Sequence, residues 1–355
     1  MAHKKLLIAI PTYNRKKQLV RLLKSIEVQD CTELYDIIIS DNCSDYSIYD
    51  ILSEDFDKKF IKNLNIVRRE FNAGGDRNIS SLYSYAQNYE LLWTIGDDDE
   101  VSPNSISDII SEYEENRGVA FFKYSILQNV GPETNQVLHS VKDLEGCIRN
   151  GYCIAGDLIF LSNNVYNINL VRNYLSDCQY YSYCSVSQIL PMMRCLIEES
   201  FPVMLCKKAI VKYNPPEGDA WNYVKIATSF STFADIQWNN NHKDTMKCLN
   251  ILSTHFGIGR FLLYCIEMED KSYRNYVCNK ARITIFNRTK SLADWFAIIA
   301  YNAEIKLYIP IFSFIYKKLF IFQEKIKQNI KNKAKSDPKF EKIKLIMKRY
   351  FPKMS

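Results

Sequence analysis

Histidine is scarce: His3, His139, His242 and His255 are the only four, and they are too scattered for zinc-ligand spacing. A histidine metal centre or catalytic triad is therefore disfavoured. The eleven cysteines, an odd number running from Cys31 to Cys278, include no CxxC pair, which points to reduced, mostly buried thiols rather than a disulfide framework or a zinc site. No apolar run reaches the roughly 20 residues of a membrane-spanning helix. The opening MAHKKLLIAIPTYNRKK turns polar and basic after Leu6 to Ile10, so no signal peptide is expected, and the chain is expected to be cytoplasmic. There is no internal repeat and no low-complexity linker. With 355 residues, 47% hydrophobic and 24% charged, the prior is one large domain plus an appendage, or two domains.

The first 124 residues alternate strand and helix patterns. Apolar or β-branched runs at Leu6–Ile10, Asp36–Ser40, Leu64–Val67, Leu91–Ile95 and Val119–Tyr124 read as strands. Between them, Leu19, Leu22, Leu23 and Ile26 mark one helix, capped by Thr12 or Asn14. Ile79, Leu82, Tyr83 and Ala86 mark a second, capped by Asp76, and Ile106, Ile109, Ile110 and Tyr113 a third, with Pro103 in its first turn. Such alternation predicts an α/β fold, a mostly parallel sheet flanked by helices. Gln128 to Gly151 reads as loop, Gln188 to Ile197 as helix and Val203 to Tyr213 as strand. Beyond Pro215 and Pro216 the periodicity is helical, with apolar and aromatic positions around Phe230–Trp238, Phe261–Ile266 and Trp295–Ala300. The expected division is residues 1–215, with a nucleotide-binding half to about 124 and an acceptor half after it, followed by an α-helical C-terminal region, 216–355.

The chain is organised around LLWTIGDDDEVSP, Leu91 to Pro103. The adjacent carboxylates Asp97, Asp98 and Asp99 repel one another unless something positive sits among them. A divalent metal is one candidate, because Mg²⁺ is commonly held by one or two carboxylates plus substrate phosphates. A solvated turn is the plain alternative. Position favours the first reading: Pro11–Arg15, Asp41–Asp45 and Asp97–Asp99 each follow a strand directly, and ligands of parallel sheets bind beyond the carboxyl ends of the strands.

Four ordered segments, IAIPTYNRKKQLVRLLKSI, IIISDNCSD, NAGGDRN and LLWTIGDDDEVSP, resemble the family 2 glycosyltransferases of GT-A fold. Within that family the W-x-x-G-x-D-D arrangement is similar to bacterial O-antigen and capsule transferases of the abequosyltransferase-like group. The resemblance is specific over residues 4–124 and weaker to about 215. It implies a Rossmann-like GT-A sheet and a nucleotide-sugar donor, a UDP-sugar foremost. It also implies that Pro11, Thr12, Tyr13, Asn14 and Arg15 line the nucleoside pocket, that Asp41 contacts base or ribose, and that Arg77 and Asp97 face the donor. A divalent metal, Mn²⁺ or Mg²⁺, is expected on Asp98 with Asp99 beside it, bridging to the diphosphate. The expected acceptor is a glycan or lipid-linked glycan of surface polysaccharide synthesis. The residue types suit these roles: a carboxylate accepts from ring N–H or ribose hydroxyls, and guanidinium groups pair with phosphate.

Two departures stand out. Counted back from Pro103, Gly96 occupies the place of the family's usual first aspartate. Where the family places its catalytic base stand Ser187 and Gln188, neither of them a base, leaving Asp157, Asp177, Glu198 and Glu199 as nearby candidates. That gap keeps a non-catalytic nucleotide-binding scaffold as an alternative. A sugar-phosphate nucleotidyltransferase is a further one, although PTYNR stands where its Gly-rich phosphate loop belongs.

Positive charge is concentrated at the end. Tyr316 to Ser355 holds thirteen basic and three acidic residues, a net +10 that leaves −4 on the remainder of a chain whose total is +6. Leu307 to Phe322 is apolar but interrupted by Pro310, Lys317 and Lys318, and Ile343, Ile346, Met347 and Tyr350 form one helical stripe among lysines. From about residue 307 this reads as a basic amphipathic tail docking on an anionic membrane surface, the inner face of the cytoplasmic membrane, with a solvated helix packed on its own domain as the alternative. No nucleic-acid partner is expected, since no recognition module precedes it.

Overall fold

Leu6–Thr12 (LLIAIPT) is buried along nearly its whole length, as a central strand of a parallel sheet covered on both faces must be. In the computed structural model it is β1, followed by β2 (Tyr35–Asp41), β3 (Leu64–Arg68), β4 (Leu91–Thr94), β5 (Glu100–Val101), β6 (Phe121–Ser125), β7 (Gln136–Leu138), β8 (Asn164–Asn167), β9 (Val203–Ala209) and β10 (Val211–Lys212). The structure describes residues 4–126, 132–212, 223–236, 238, 242–253, 258–284, 292–307, 310, 312–315, 317–319, 321 and 325. An eight-stranded sheet has the order β3-β2-β1-β4-β8-β6-β9-β7. β7 and β8 run against the others, and β5 pairs separately with β10. The predicted mostly parallel sheet is thus present, with antiparallel β8 inserted at its centre. β8 escaped the sequence reading because it both begins and ends in asparagine, Asn164 and Asn167, and follows Asn163, yet all four of its residues are buried.

The helices of the first part are α1 (Lys16–Glu27), α2 (Ile48–Asp55), α3 (Lys58–Ile61), α4 (Gly75–Ser81), α5 (Ser105–Glu115), α6 (Val141–Arg149), α7 (Ala155–Ile159), α8 (Ile168–Val171), α9 (Leu175–Tyr180) and α10 (Leu190–Ile197). α1 buries Leu19, Leu22, Leu23 and Ile26, and α5 buries Ile106, Ile109, Ile110 and Tyr113, as their spacing predicts.

Helix starts differ from expectation. α1 begins after Arg15 with no side-chain cap, because the hydroxyl of Thr12 and the amide of Asn14 bond elsewhere. α4 begins after Gly74, whose φ of 87° suits glycine, and Asp76 lies inside its first turn. Pro103 precedes α5 in a turn closed by the Ser105 N–H donating to the Ser102 carbonyl at 3.3 Å. The expected loop from Gln128 to Gly151 contains β7 and α6, the latter opened by a reciprocal Ser140 and Asp143 capping box.

The chain divides into two compact units: Met1–Asn222 with Asp235–Leu252, and Tyr223–Ala234 with Ser253–Ser355. The helices after β10 are α11 (Tyr223–Ala234), α12 (His242–Leu252), α13 (Ile258–Ile266), α14 (Lys271–Thr284) and α15 (Leu292–Leu307). The expected single helical region after residue 215 is therefore split, since α12 packs on α6, α7 and α10 of the first unit. In the second unit α11 packs on α14 and α13 on α15, around Phe261, Leu262, Val277, Ala297, Tyr301 and Phe312. All eleven cysteines are free and most are buried. Among the described residues no helix is long and apolar enough to cross a membrane.

Candidate active site at the carboxyl edge of the sheet

β1 pairs with β2 on one side and β4 on the other, so Thr12, Asp41 and Thr94 end neighbouring strands at the same edge. Ala9 accepts from Ile95 N–H at 3.0 Å, so Pro11, two residues on, faces the same side beyond the end of β4. Its missing N–H deprives no strand of a partner. Because β8 runs antiparallel and pairs Asn164 with Thr94, Ser162 and Asn163 are delivered to this edge as well.

The three aspartates have different surroundings. Asp97 is buried, accepting from the Thr12 hydroxyl at 2.7 Å and from Arg15 Nη1 at 3.0 Å. Burial pushes its carboxyl up to about 6, an effect opposed by the Arg15 guanidinium and the Thr12 hydroxyl. Asp98 shares the same Arg15 nitrogen at 3.0 Å but has a side chain 26% exposed, against 6% for Asp97. Asp99 is buried and accepts from Ser162 Oγ at 2.5 Å, while that oxygen accepts from Gly96 N–H at 2.8 Å. The positive group that the acidic run requires is thus already present in Arg15. Arg21 reinforces it, donating to the Asp98 carbonyl and pairing with Glu100 at 3.4 Å.

Gly96 also gains a physical reason. A Cβ there would lie 3.0 Å from Asp98 Oδ1 and 3.5 Å from Asp99 Oδ2. An aspartate at that position would crowd two carboxylates that already occupy the turn.

Asp41 ends β2 opposite Arg68 of β3, which donates to its Oδ2 at 2.9 Å. Ser44 N–H donates to Oδ1 at 2.9 Å. The loop after β1 is tied to the loop after β2: Asn14, at φ 53°, donates to Asp45 at 2.8 Å and accepts from Asp45 N–H at 2.8 Å, while Arg15 N–H donates to Tyr46 OH at 3.1 Å. Asn42 holds the NAGG turn by accepting from Ala73 N–H and donating to Asn72. Tyr13 is 41% exposed rather than packed. Arg77 is exposed beyond that turn and forms no ion pair among the described residues. Asp41→Ala is expected to raise the donor KM more than it lowers kcat, and to cost about 1–3 kcal/mol by leaving the buried Ser44 N–H without its acceptor and removing one of the Arg68 bonds. Steady-state kinetics and denaturant unfolding check both halves. An unchanged KM removes Asp41 from donor binding.

Among the described residues no group of three or more His, Cys, Asp or Glu could hold a metal. The residues present nevertheless fit a divalent ion of the kind completed by substrate phosphates, since Asp98 is the accessible carboxylate of the turn. Asp99 adjoins it but is engaged by Ser162.

The candidate bases separate clearly. Asp177 and Glu198 each accept from Arg194 at 2.7 Å, and the Arg194 guanidinium lies 4.6 Å from the Trp238 ring centre, a structural ion cluster. Glu199 sits at φ 50° in the turn after α10. Asp157 caps α7, and its carbonyl accepts at 3.2 Å from Asn163, the neighbour of Ser162. Ser187 and Gln188 are buried, with the Gln188 amide donating to the Ile159 carbonyl at 2.9 Å.

Sequence reasoning missed Arg68, Ser44 and Ser162. Arg68 was recoverable from strand register, because pairing β2 with β3 sets it against Asp41. Ser162 carries no local signal, since only β8 brings it to the acidic turn.

Residues 7–159 match the family model for glycosyl transferase family 2. Over this stretch, 153 of the 355 residues, the chain is similar to glycosyl transferase family 2. Abequosyltransferase RfbV of Salmonella typhimurium is 36% identical over 102 residues, 28% of this chain and 29% of that protein. The match therefore spans less than a third of that relative's length. Among solved structures, S. aureus TarS 1-349 in complex with UDP-GlcNAc aligns over 80% of this chain and 82% of its own at 15% identity, TM-score 0.58. The mannosyltransferase PcManGT from Pyrobaculum calidifontis, in complex with GDP-Man and Mn²⁺, aligns over 90% and 84% at 12% identity, TM-score 0.50. At such identities the likeness is one of fold, and the fold is GT-A. The family match ends at Ile159, so it contains every strand-end residue of the site except those delivered by β8.

Proposed function

We propose that the chain is a glycosyltransferase that moves a sugar from a nucleotide-sugar donor to a hydroxyl of a glycan acceptor. The acceptor proposed is a lipid-linked intermediate of a bacterial surface polysaccharide, handled at the inner face of the cytoplasmic membrane. One observation carries the reading: PTYNR, Asp41 and the three-aspartate turn meet at one sheet edge within the stretch that matches the family 2 model. The ligands of the structural neighbours, UDP-GlcNAc and GDP-Man, support a nucleotide-sugar donor, and the abequosyltransferase relative supports a polysaccharide product.

In this reading Tyr13 offers a stacking face to the base, and Asp41 accepts from base or ribose. The diphosphate lies across Arg15 and Asp98. A divalent ion held by Asp98, Mn²⁺ or Mg²⁺, would supply positive charge against the leaving nucleoside diphosphate. Arg15 turns from Asp97 and Asp98 toward phosphate, and Thr12 keeps Asp97 in place. Asp157 removes the acceptor hydroxyl proton as the anomeric carbon is attacked.

A thermal-shift screen of UDP-, GDP-, CDP- and dTDP-sugars with Mn²⁺, followed by assay of free nucleotide, tests the reading. One donor class should raise the unfolding midpoint, by the equivalent of about 2.7 kcal/mol at a hundredfold excess over Kd, and should be turned over. Binding without turnover leaves the nucleotide-binding scaffold. No shift with any donor overturns the reading.

A further inference from the structure

α15 is apolar on two faces. Ala297 and Tyr301 turn inward among the residues of the second unit's core, and Tyr301 meets Phe312 edge-on at 5.9 Å. The other face carries Trp295, Phe296 and Ile299, which are 56%, 58% and 63% exposed, with Asn302, Lys306 and Leu307 continuing the same stripe. The steps of four, three and four residues from Trp295 to Ile299, Asn302 and Lys306 keep them on one side of the helix. Past the helix, Phe314, Leu319 and Ile321 are exposed as well. A contiguous run of large apolar side chains marks a contact surface.

Lys306 and Lys318 are exposed in this segment, Lys318 with its Nζ 4.4 Å from the Phe314 ring centre. Nearby acids are engaged: Glu304 accepts from Ser313 N–H and hydroxyl at 2.8 and 2.7 Å, and Glu267 pairs with Lys317 at 3.2 Å. In sequence, Tyr316 to Ser355 carries a net +10. Aromatic rings beside lysines suit the headgroup layer of an anionic bilayer, where apolar burial and attraction to lipid phosphate act together.

We propose that the outer face of α15, with Leu307, Phe314, Leu319 and Ile321, docks on an anionic lipid bilayer, Trp295 and Phe296 entering the interfacial layer. This extends the membrane part of the function above and does not depend on the transfer reaction. It also moves the docking surface upstream of residue 307, into a helix whose apolar positions read in sequence only as helical periodicity. The Lys325–Lys353 segment expected to form the amphipathic tail lies almost wholly outside the described residues.

The experiment uses the full chain with phosphatidylglycerol–phosphatidylcholine vesicles and with pure phosphatidylcholine vesicles, at low and high salt. Intact protein should sediment with the anionic vesicles alone, and salt should weaken this. Trp221 is first replaced by Phe; in that background brominated lipid should quench tryptophan fluorescence, and Trp295→Phe should remove most of the quenching, because Trp93 and Trp238 are buried. The triple variant Trp295→Ser, Phe296→Ser, Ile299→Ser should lose binding by at least about ten-fold, with its circular dichroism and its donor-induced thermal shift retained. Equal binding by the triple variant, unchanged quenching in Trp295→Phe, or no sedimentation of the intact chain overturns the proposal. So does a change from dimer to monomer in the triple variant without vesicle binding by the parent, which assigns the face to a second copy of this chain.

Discussion

Replacing Asp98 with asparagine should lower metal-dependent nucleotide release and sugar transfer by roughly 10²–10³-fold, the size of effect that follows loss of one preorganised charge interaction with a leaving group. Asp98 is chosen over its neighbours on geometry. Asp97 is buried against Thr12 and Arg15, Asp99 is buried against Ser162, and Asp98 has the accessible carboxylate. Stability should change by no more than about 0.5 kcal/mol, because Arg15 retains Asp97 and little repulsion is left to relieve. Initial rates over a Mn²⁺ or Mg²⁺ titration, with a metal-free unfolding curve, give both quantities. Near wild-type turnover would remove Asp98 from the donor site.

Asp157→Asn should reduce kcat by roughly 10²–10⁴-fold with the donor KM nearly unchanged, as expected for loss of a general base. Asparagine still accepts from Ile154 N–H, so the start of α7 should be preserved. Asp177→Asn and Glu198→Gln serve as controls of opposite character. Each weakens the part-buried Arg194 cluster and should cost about 1–3 kcal/mol of stability while the fraction still folded keeps its kcat. If Asp177→Asn instead abolishes turnover in a fully folded protein, while Asp157→Asn remains active, the base has been misassigned.

Much of the architecture follows from short-range pattern. β1, β2, β3, β4 and β6 appear where apolar and β-branched runs stand, and α1 and α5 bury the residues whose spacing marks one face. Those features survive because burial acts on each segment with its own period, whatever lies beside it. The errors share one origin. Thr12 and Asn14 are good caps by residue type, but the acidic turn and Asp45 compete for them once β1, β2 and β4 are adjacent. Asn164 to Asn167 looks too polar for a central strand until the partners of its side chains are counted: Lys123 and the Phe160 carbonyl take Asn164, and the Arg117 and Val119 carbonyls take Asn167.

The sequence by itself determined that the aspartates of LLWTIGDDDEVSP, the PTYNR loop and Asp41 lie at strand ends, because strand periodicity and its interruption are local properties. Tertiary structure alone decided how they are used. It made Arg15 the counter-ion of Asp97 and Asp98, set Ser162 against Asp99, and bound Asp177 and Glu198 to Arg194. It likewise turned Trp295, Phe296 and Ile299 outward. Charge pairing and exposure depend on which distant segments become neighbours, and a periodicity of two or 3.6 residues carries no information about that.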